Sequence, residues 1–446
     1  MPGDVRKRPS TSSTDEECPN YISLETHHKP SVAKRKSMKS PVKLPSSPAS
    51  SSSSVSSPTK KTPERFRHYT PIPPLMAAEA ATEEQQRACQ RQRGGGGGSV
   101  ETPTPSSPTD HEQNEQTSEC PWVHQRGYTS DVVGLHHEIR DFLRYISPTD
   151  KEKRMREQVI ERIQNVIIDL WPHAMVKVFG SYKTGLYLPM SDVDLVVFGK
   201  WPHIPLRTLE KAFIKAEVAD AEGIQVIDKA SVPIIKVVDK ATEVRVDISF
   251  NMPNSVDAVD LVNLYMDLYP NLRFIVFILK QFLNQRDLNE VYFGGVSSYS
   301  LVLMTISFLQ LHPRYDARGT RTNLGVLLLE FFELYGLNFN YNNVCIRIKD
   351  GGGYIQKSEF YRSEVKQRCP DRGLSIEDPT TRGNDISRGS YHSDKCAAAF
   401  EKAFFVLQHA VLPRRPSPKR TRTILGNIIQ MSPELVSYRK WIEDNF

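Results

Sequence analysis

Three acidic residues carry the clearest chemical signal in this chain. Asp192 and Asp194 stand two apart in Asp192-Val193-Asp194, at the start of the apolar run 195–198. In extended backbone that spacing sends both carboxylates to one side, where they repel each other until a divalent cation removes the repulsion. The third lies in Val244-Arg245-Val246-Asp247-Ile248-Ser249. There Val244, Val246 and Ile248 alternate towards one face, and Asp247 falls on the other. If the two strands pair side by side, three carboxylates converge. They offer the hard-oxygen environment that Mg²⁺ prefers, with substrate phosphates and water completing each octahedron. Two such ions can run phosphoryl or nucleotidyl transfer, one lowering the pKa of an attacking 3′-hydroxyl and the other stabilising charge on a leaving pyrophosphate. Upstream, Phe179-Gly180-Ser181 precedes the ten-residue interval 182–191. Gly180 lets the backbone approach a triphosphate, and Ser181 offers it a hydroxyl and an N–H. An isolated Asp-x-Asp is common at strand ends, and Gly-Ser is usually a plain turn. The combination, in this order and followed by a later alternating strand with its own Asp, points to catalytic metal binding.

These residues need elements to hold them. Helical spacing runs through Leu135, Ile139, Phe142, Leu143 and Ile146, and after Pro148 through Met155, Val159, Ile163, Val166, Ile167 and Leu170. The pattern then predicts strands at 175–179 and 194–198, and a strand pair at 233–238 and 243–249 around a turn at 239–242. From about 256 onward it predicts helices at 256–268, 271–285, 297–311, 323–335 and 393–411, with a small strand and turn near 347–355. There is no internal repeat. An α/β unit is followed by a helical unit, an α+β chain with a cleft expected between the two. Lys280 is a cation that interrupts the middle of the apolar helix 271–285, where a lysine is seldom placed for packing; a lysine snorkelling to the surface is the plain alternative.

The chain has 446 residues, a formal net charge of +6 and a pI near 8.8, which permits a nucleic-acid partner without demonstrating one. Six cysteines are scattered without Cys-x-x-Cys spacing, as for reduced thiols inside a cell. With no apolar signal core and no run long enough to span a membrane, the expectation is a soluble intracellular protein. Residues 1–125 are rich in Ser, Pro and Thr, with serines at 50–54 and glycines at 94–98. They read as a disordered tail that cannot bury enough apolar surface to offset chain entropy. In it, Ser40, Ser47, Ser57, Thr62 and Ser107 precede proline, as kinase sites or plain composition. Lys34-Arg35-Lys36 with Lys39 is a nuclear import signal or an ordinary basic run. Near the other end, Arg414-Arg415, Lys419-Arg420 and Arg422 suit RNA phosphates, an import signal or a solvated loop equally well.

The run VFGSYKTGLYLPMSDVDLVVFGKW resembles the signature of the DNA polymerase beta-like nucleotidyltransferases. With VDISFN (246–251), LKQFLNQRDLNEVYFGGVSSYSL (279–301), NLGVLLLEFFELYG (323–336) and IEDP…GND…R (376–388), it resembles more narrowly the noncanonical poly(A) RNA polymerases of the TRAMP type, from about Gly127 to the C-terminus. The resemblance implies a nucleotidyltransferase palm, a mixed sheet with helices, at 126–254. It implies a helical central domain at 255–412, with a poly(A)-polymerase-associated segment near 323–383, and then a basic loop and C-terminal helix at 413–446. By matched motif it makes Asp192, Asp194 and Asp247 the ligands of two Mg²⁺ or Mn²⁺ ions, and ATP the substrate. Lys280 and Ser298 would bind phosphate, Tyr299 would stack on adenine, and Asn384 and Arg388 would belong to the nucleotide-recognition loop. An Asn there suits the N1/N6 edge of adenine, where related uridylyl-adding enzymes tend to carry His. Two positions depart from the pattern, Ser255 and Ser387, each where the family commonly has Gly. Both bear on nucleotide preference and leave the carboxylates untouched.

The expectation is thus a template-independent adenylyltransferase acting on RNA 3′ ends in nuclear RNA surveillance or 3′-end processing, in the nucleus or its nucleolus. The chain shows no separate RNA-binding module. By resemblance the partners would be an adaptor with zinc knuckles and an RNA helicase, in a TRAMP-like complex feeding the exosome. The alternatives are a uridylyl or mixed-nucleotide terminal transferase, and a catalytically inactive scaffold of an RNA complex.

Overall fold

The computed structural model describes residues 120–230, 232–412 and 422–446. The Ser/Thr-Pro pairs, the basic runs at 34–39 and 414–420, and all of the expected tail up to residue 119 lie outside them. The tail reading extends too far at its end. Cys120 and Trp122 are buried in a hydrophobic core, and the Trp122 indole N–H donates to Glu138.

Two helices open the fold. In α1, Val132–Ile146, the Asp131 side chain accepts from the Val133 and Gly134 amides. In α2, Asp150–Leu170, Thr149 and Glu152 form a reciprocal capping box. A mixed five-stranded sheet follows, built from β1 (Met175–Phe179), β2 (Val193–Phe198), β3 (Ile224–Ile227), β4 (Ile234–Val238) and β5 (Arg245–Phe250), in the order β1-β2-β5-β4-β3. β2 and β5 are parallel; every other pair is antiparallel. Between β1 and β2 lies the short helix α3, Gly180–Thr184, and between β2 and β3 the helix α4, Leu206–Lys215. α4 and β3 are additional to the elements read from the sequence, although Leu206, Leu209 and Phe213 of α4 do follow helical spacing and are buried on one face.

The helical part comprises α5 (Asn254–Leu268), α6 (Leu272–Asn284), α7 (Ser298–Gln310) and α8 (Leu324–Glu333), then the hairpin β6 (Val344–Arg347) and β7 (Gly353–Gln356), then α9 (Ser393–Val411). α6 is buried on nearly every side from Ile275 to Leu283, so its sequence is apolar all round. The described chain closes with α10, Pro433–Asn445, which has proline in its first turn and a Ser432 cap. Among the described residues no helix is long and apolar enough to cross a membrane.

The two hydrophobic cores do not follow a linear division at 254. α1 precedes the sheet in sequence, yet it packs Leu135, Ile139, Phe142 and Ile146 into the helical core with α6, α7 and α8. α2 packs on the sheet with Val193, Leu195, Val246 and Ile248. The closing segment serves both cores. Ile424, Leu425, Ile428 and Ile429 join the helical core, while Ile442, Tyr438 and Phe446 join the sheet core. Polar contacts fix this clasp. Glu138 accepts from the Ile424 and Leu425 amides, and Arg439 donates to the Tyr145 and Ser147 carbonyls and pairs with Glu152.

Candidate active site

Strand register brings the carboxylates together. Asp194 of β2 is directly opposite Asp247 of β5, and Asp192 precedes the first residue of β2. Val246 and Ile248, on either side of Asp247, are buried in the sheet core, so the alternation read from sequence holds. On the other flank of β5, Lys236 of β4 is in register with Asp247. Its ammonium lies 2.6 Å from an Asp247 carboxylate oxygen and 4.0 Å from one of Asp192. The Arg245 guanidinium is 2.7 Å from the other Asp192 oxygen and also donates to the Met190 carbonyl.

The three carboxylates share one edge without closing into a ready-made cage. Among the described residues no three His, Cys, Asp or Glu side chains are gathered tightly enough to hold an ion. Lys236 and Arg245 draw Asp247 and Asp192 into ion pairs instead. Among the described residues Asp194 has no such partner. Burial, followed by the charges of Asp247 and Asp192, pushes its carboxyl up to about 7. Burial also raises Asp247, against the pull of Lys236. A shared edge of hard oxygens, one of them strained by charge and two answered by side-chain cations, fits a divalent ion.

Gly180 belongs to this constellation for a steric reason. Its φ is +66°, and a Cβ built there would stand 2.0 Å from an Asp194 carboxylate oxygen. Gly180 and Ser181 line a cavity of about 760 Å³ together with Asp192, Asp194, Lys236 and Arg245. Lys280 reaches the same cavity from within α6, 6% exposed, and donates to the Leu186 carbonyl at 2.6 Å. Burial lowers its amine to about 8, with Asp194 opposing the shift. The segment before Asp192 is braced from below, where the buried Arg156 donates to the Pro189 carbonyl and lies over the Tyr187 ring.

The opposite wall comes from the helical part. Ser298 and Tyr299, in the first turn of α7, line the cavity, as do Ser255 and Asn384. The Tyr299 hydroxyl is buried without a hydrogen-bond partner, and burial raises its pKa. Asn384 donates to Asp378 at 2.8 Å, and Asp378 also receives the Thr380 and Thr381 amides. Asp385, directly after Asn384, is the buried anchor of this loop, accepting from Tyr361, Ser375 and Ser387 and from the Ile376 amide. The two departures from the family pattern cost the backbone nothing, since neither Ser255 nor Ser387 has a positive φ. Ser387 puts its hydroxyl to use on Asp385 at 2.8 Å.

Two expected residues are not cavity walls. Asp247 does not itself line the cavity but pairs with Lys236, which does, and Arg388 is exposed and is not part of the lining. Sequence reasoning missed Lys236, Arg245 and Asp378. The register was not legible in the sequence: a turn confined to 239–242 would set Asp247 opposite Ile234, whereas Val238 pairs with Arg245 and so Lys236 meets Asp247.

Two family models match. One, described as "Poly(A) RNA polymerase, mitochondrial-like, central palm domain", covers residues 135–267; the other, "Cid1 family poly A polymerase", covers 323–384. The chain is 39% identical over 316 residues to the "Inactive non-canonical poly(A) RNA polymerase protein Trf4-2" of Drosophila melanogaster, covering 70% of this chain and 77% of the relative. It is 42% identical over 295 residues to "Poly(A) RNA polymerase cid14" of Schizosaccharomyces pombe, covering 65% of this chain but 42% of that relative. Among solved structures, one described as the polymerase core of TRAMP, an RNA surveillance complex, matches with a TM-score of 0.61 at 37% identity, over 69% of this chain and 98% of that one.

Proposed function

Because the chain belongs to the noncanonical poly(A) RNA polymerases, we propose that it is a template-independent RNA 3′-end adenylyltransferase that uses ATP and two divalent ions, Mg²⁺ or Mn²⁺. The observation that carries this reading is the register of β2 against β5, which sets Asp194 beside Asp247 with Asp192 next to them, at a cavity whose far wall holds Tyr299 and Asn384. Asp192, Asp194 and Asp247 would hold the ions. When bound, these would activate the attacking 3′-hydroxyl and offset the charge of the departing pyrophosphate.

The remaining roles follow from the chain's own groups. The RNA 3′-oxygen forms a bond to the α-phosphorus of ATP, and the bond from that phosphorus to pyrophosphate breaks. Lys280, with its ammonium at the cavity wall, neutralises phosphate charge, and Ser181 and Ser298 offer hydroxyls to phosphate oxygens. Tyr299 presents a ring face to the base. Asn384 keeps its amide oxygen and one N–H for the adenine edge, because Asp378 uses only one amide hydrogen. Arg388, outside the cavity, would not meet the base.

The likeness to the polymerase core of an RNA surveillance complex supports work in RNA surveillance; we further propose that the chain acts in the nucleus or nucleolus, in 3′-end processing as well, with a zinc-knuckle adaptor and an RNA helicase as partners. The fly relative named inactive favours a second reading, a scaffold without catalysis. One experiment separates these. The purified chain, given an RNA primer and Mg²⁺ with the four nucleotides in competition, is expected to add mainly A. Asp192→Ala and Asp194→Ala should abolish extension. Extension by the Asp variants would remove the metal assignment, predominant U addition would point to a uridylyl transferase, and no incorporation with any nucleotide or metal would leave the scaffold.

A further inference from the structure

At the lip of the cavity the chain exposes aromatic surface that its cores do not use. Asn289 and Glu290 line the cavity, and the turn that follows projects Tyr292 and Phe293, 84% and 65% exposed. Their rings meet edge to face with centroids 5.1 Å apart. Tyr391, 62% exposed, joins them from the end of the segment that carries Asn384. Its hydroxyl donates to the Tyr292 carbonyl at 3.0 Å, and the neighbouring His392 amide donates to the Gly294 carbonyl at 2.9 Å. Gly294, at a φ of +82°, permits this approach; a Cβ there would stand 2.5 Å from the Tyr391 ring. The two hydrogen bonds tie the Tyr292–Phe293 pair and Tyr391 into one ledge assembled from two segments that both border the cavity.

The charges around the ledge indicate what it takes. Arg388 and Lys395 lie within four residues of Tyr391, are exposed, and have no carboxylate partner among the described residues. Acids stand nearby as well: Glu290 acts on Lys236 within the site, and the exposed Asp394 adjoins Lys395, so Arg388 is the cation farther from acidic side chains in sequence. Exposed rings interleaved with free cations, continuous with a nucleotide-sized cavity, are the combination that holds single-stranded nucleic acid: cations follow the backbone while bases stack on rings without regard to sequence. An apolar protein segment would use the rings but would have no need of the cations or of the cavity beside them.

We propose that Tyr292, Phe293 and Tyr391 form a stacking ledge for the RNA bases just upstream of the 3′ end, with Arg388 and Lys395 on the phosphates. This rests on the adenylyltransferase reading and adds to it a grip on RNA beside the site.

The test uses the full chain, oligo(A) primers and the double variant Tyr292→Ala/Phe293→Ala. Stacking loss should weaken RNA binding, read by fluorescence anisotropy, by about tenfold per ring. KM for RNA should rise in step, while KM for ATP and kcat at saturating RNA stay at wild-type values. A primer with abasic sites upstream of its 3′ end should bind wild-type as weakly as the double variant binds intact primer, and the variant should not distinguish the two primers. Tyr292→Leu/Phe293→Leu, which keeps apolar bulk, decides the matter if the alanine pair melts early, and it should show the same loss. RNA affinity unchanged in the leucine pair would overturn the ledge, as would loss of a bound protein partner with RNA binding intact. A wild-type chain with ring-dependent RNA binding but no nucleotide incorporation would remove the catalytic reading and keep the ledge. A wild-type chain that extends RNA independently of the rings would do the reverse, and one that neither binds nor extends RNA would overturn both.

Discussion

Gly180 has no side chain because Asp194 needs the space. In Gly180→Ala the new Cβ would meet the Asp194 carboxylate at 2.0 Å, at a φ that L-residues adopt at a cost of about 1–2 kcal/mol. The carboxylate must move, and displacements of about 1 Å in a catalytic constellation cost on the order of 10²-fold. Primer extension by Gly180→Ala should fall by at least about that much, while the melting temperature falls by only a few degrees, as that backbone cost implies. Ser387 shows the opposite case: a side chain where glycine is customary is accepted because the backbone there is not left-handed and the hydroxyl finds Asp385.

At the scale of elements, two strand pairings decide the electrostatics of the site. β5 sets Asp247 between Asp194 on one side and Lys236 on the other. Asp194 is raised from the ordinary carboxylate range to about 7. A carboxyl raised in the folded state contributes fully to stability below its unfolded pKa, and that contribution is lost as pH climbs through the folded value. In EDTA, Asp194→Asn should therefore gain on wild-type as pH rises from about 4 to about 7, and the gap should level off above that. Adding Mg²⁺ should stabilise wild-type at pH 8 and leave Asp194→Asn less affected. Lys236→Met removes the ammonium that answers Asp247, so Mg²⁺ should raise its melting temperature by more than it raises that of wild-type. Differential scanning fluorimetry across pH, with and without Mg²⁺, reads all three.

At the scale of the whole molecule, the cleft has walls from two cores that the closing segment ties together. Arg439 bonds to the Tyr145 and Ser147 carbonyls at the end of α1 and to the Glu152 cap of α2, while Ile442 on the same helix enters the sheet core. Leu435, one turn earlier, lines the cavity. Arg439→Ala leaves Glu152 buried without its cation and should cost about 2–4 kcal/mol. In urea, far-UV circular dichroism and tryptophan fluorescence should shift together to lower concentration as one transition. Two separated transitions would show that the clasp does not couple the cores.

What the sequence determined by itself is local and periodic. Alternation around Asp247 and the two-residue spacing of Asp192 and Asp194 state which way carboxylates point along a strand, and apolar spacing located α1, α2 and the helices from α5 to α9 close to their observed limits. Those patterns arise from the backbone repeat, which is a property of the chain itself. Only the tertiary structure decided that β2 lies parallel to β5, that α1 deserts the sheet for the helical core, that Arg388 stands outside the cavity, and that Tyr292 and Tyr391, ninety-nine residues apart, share one ledge. These depend on which surfaces meet, and sequence spacing carries no record of such meetings when the intervening chain is long.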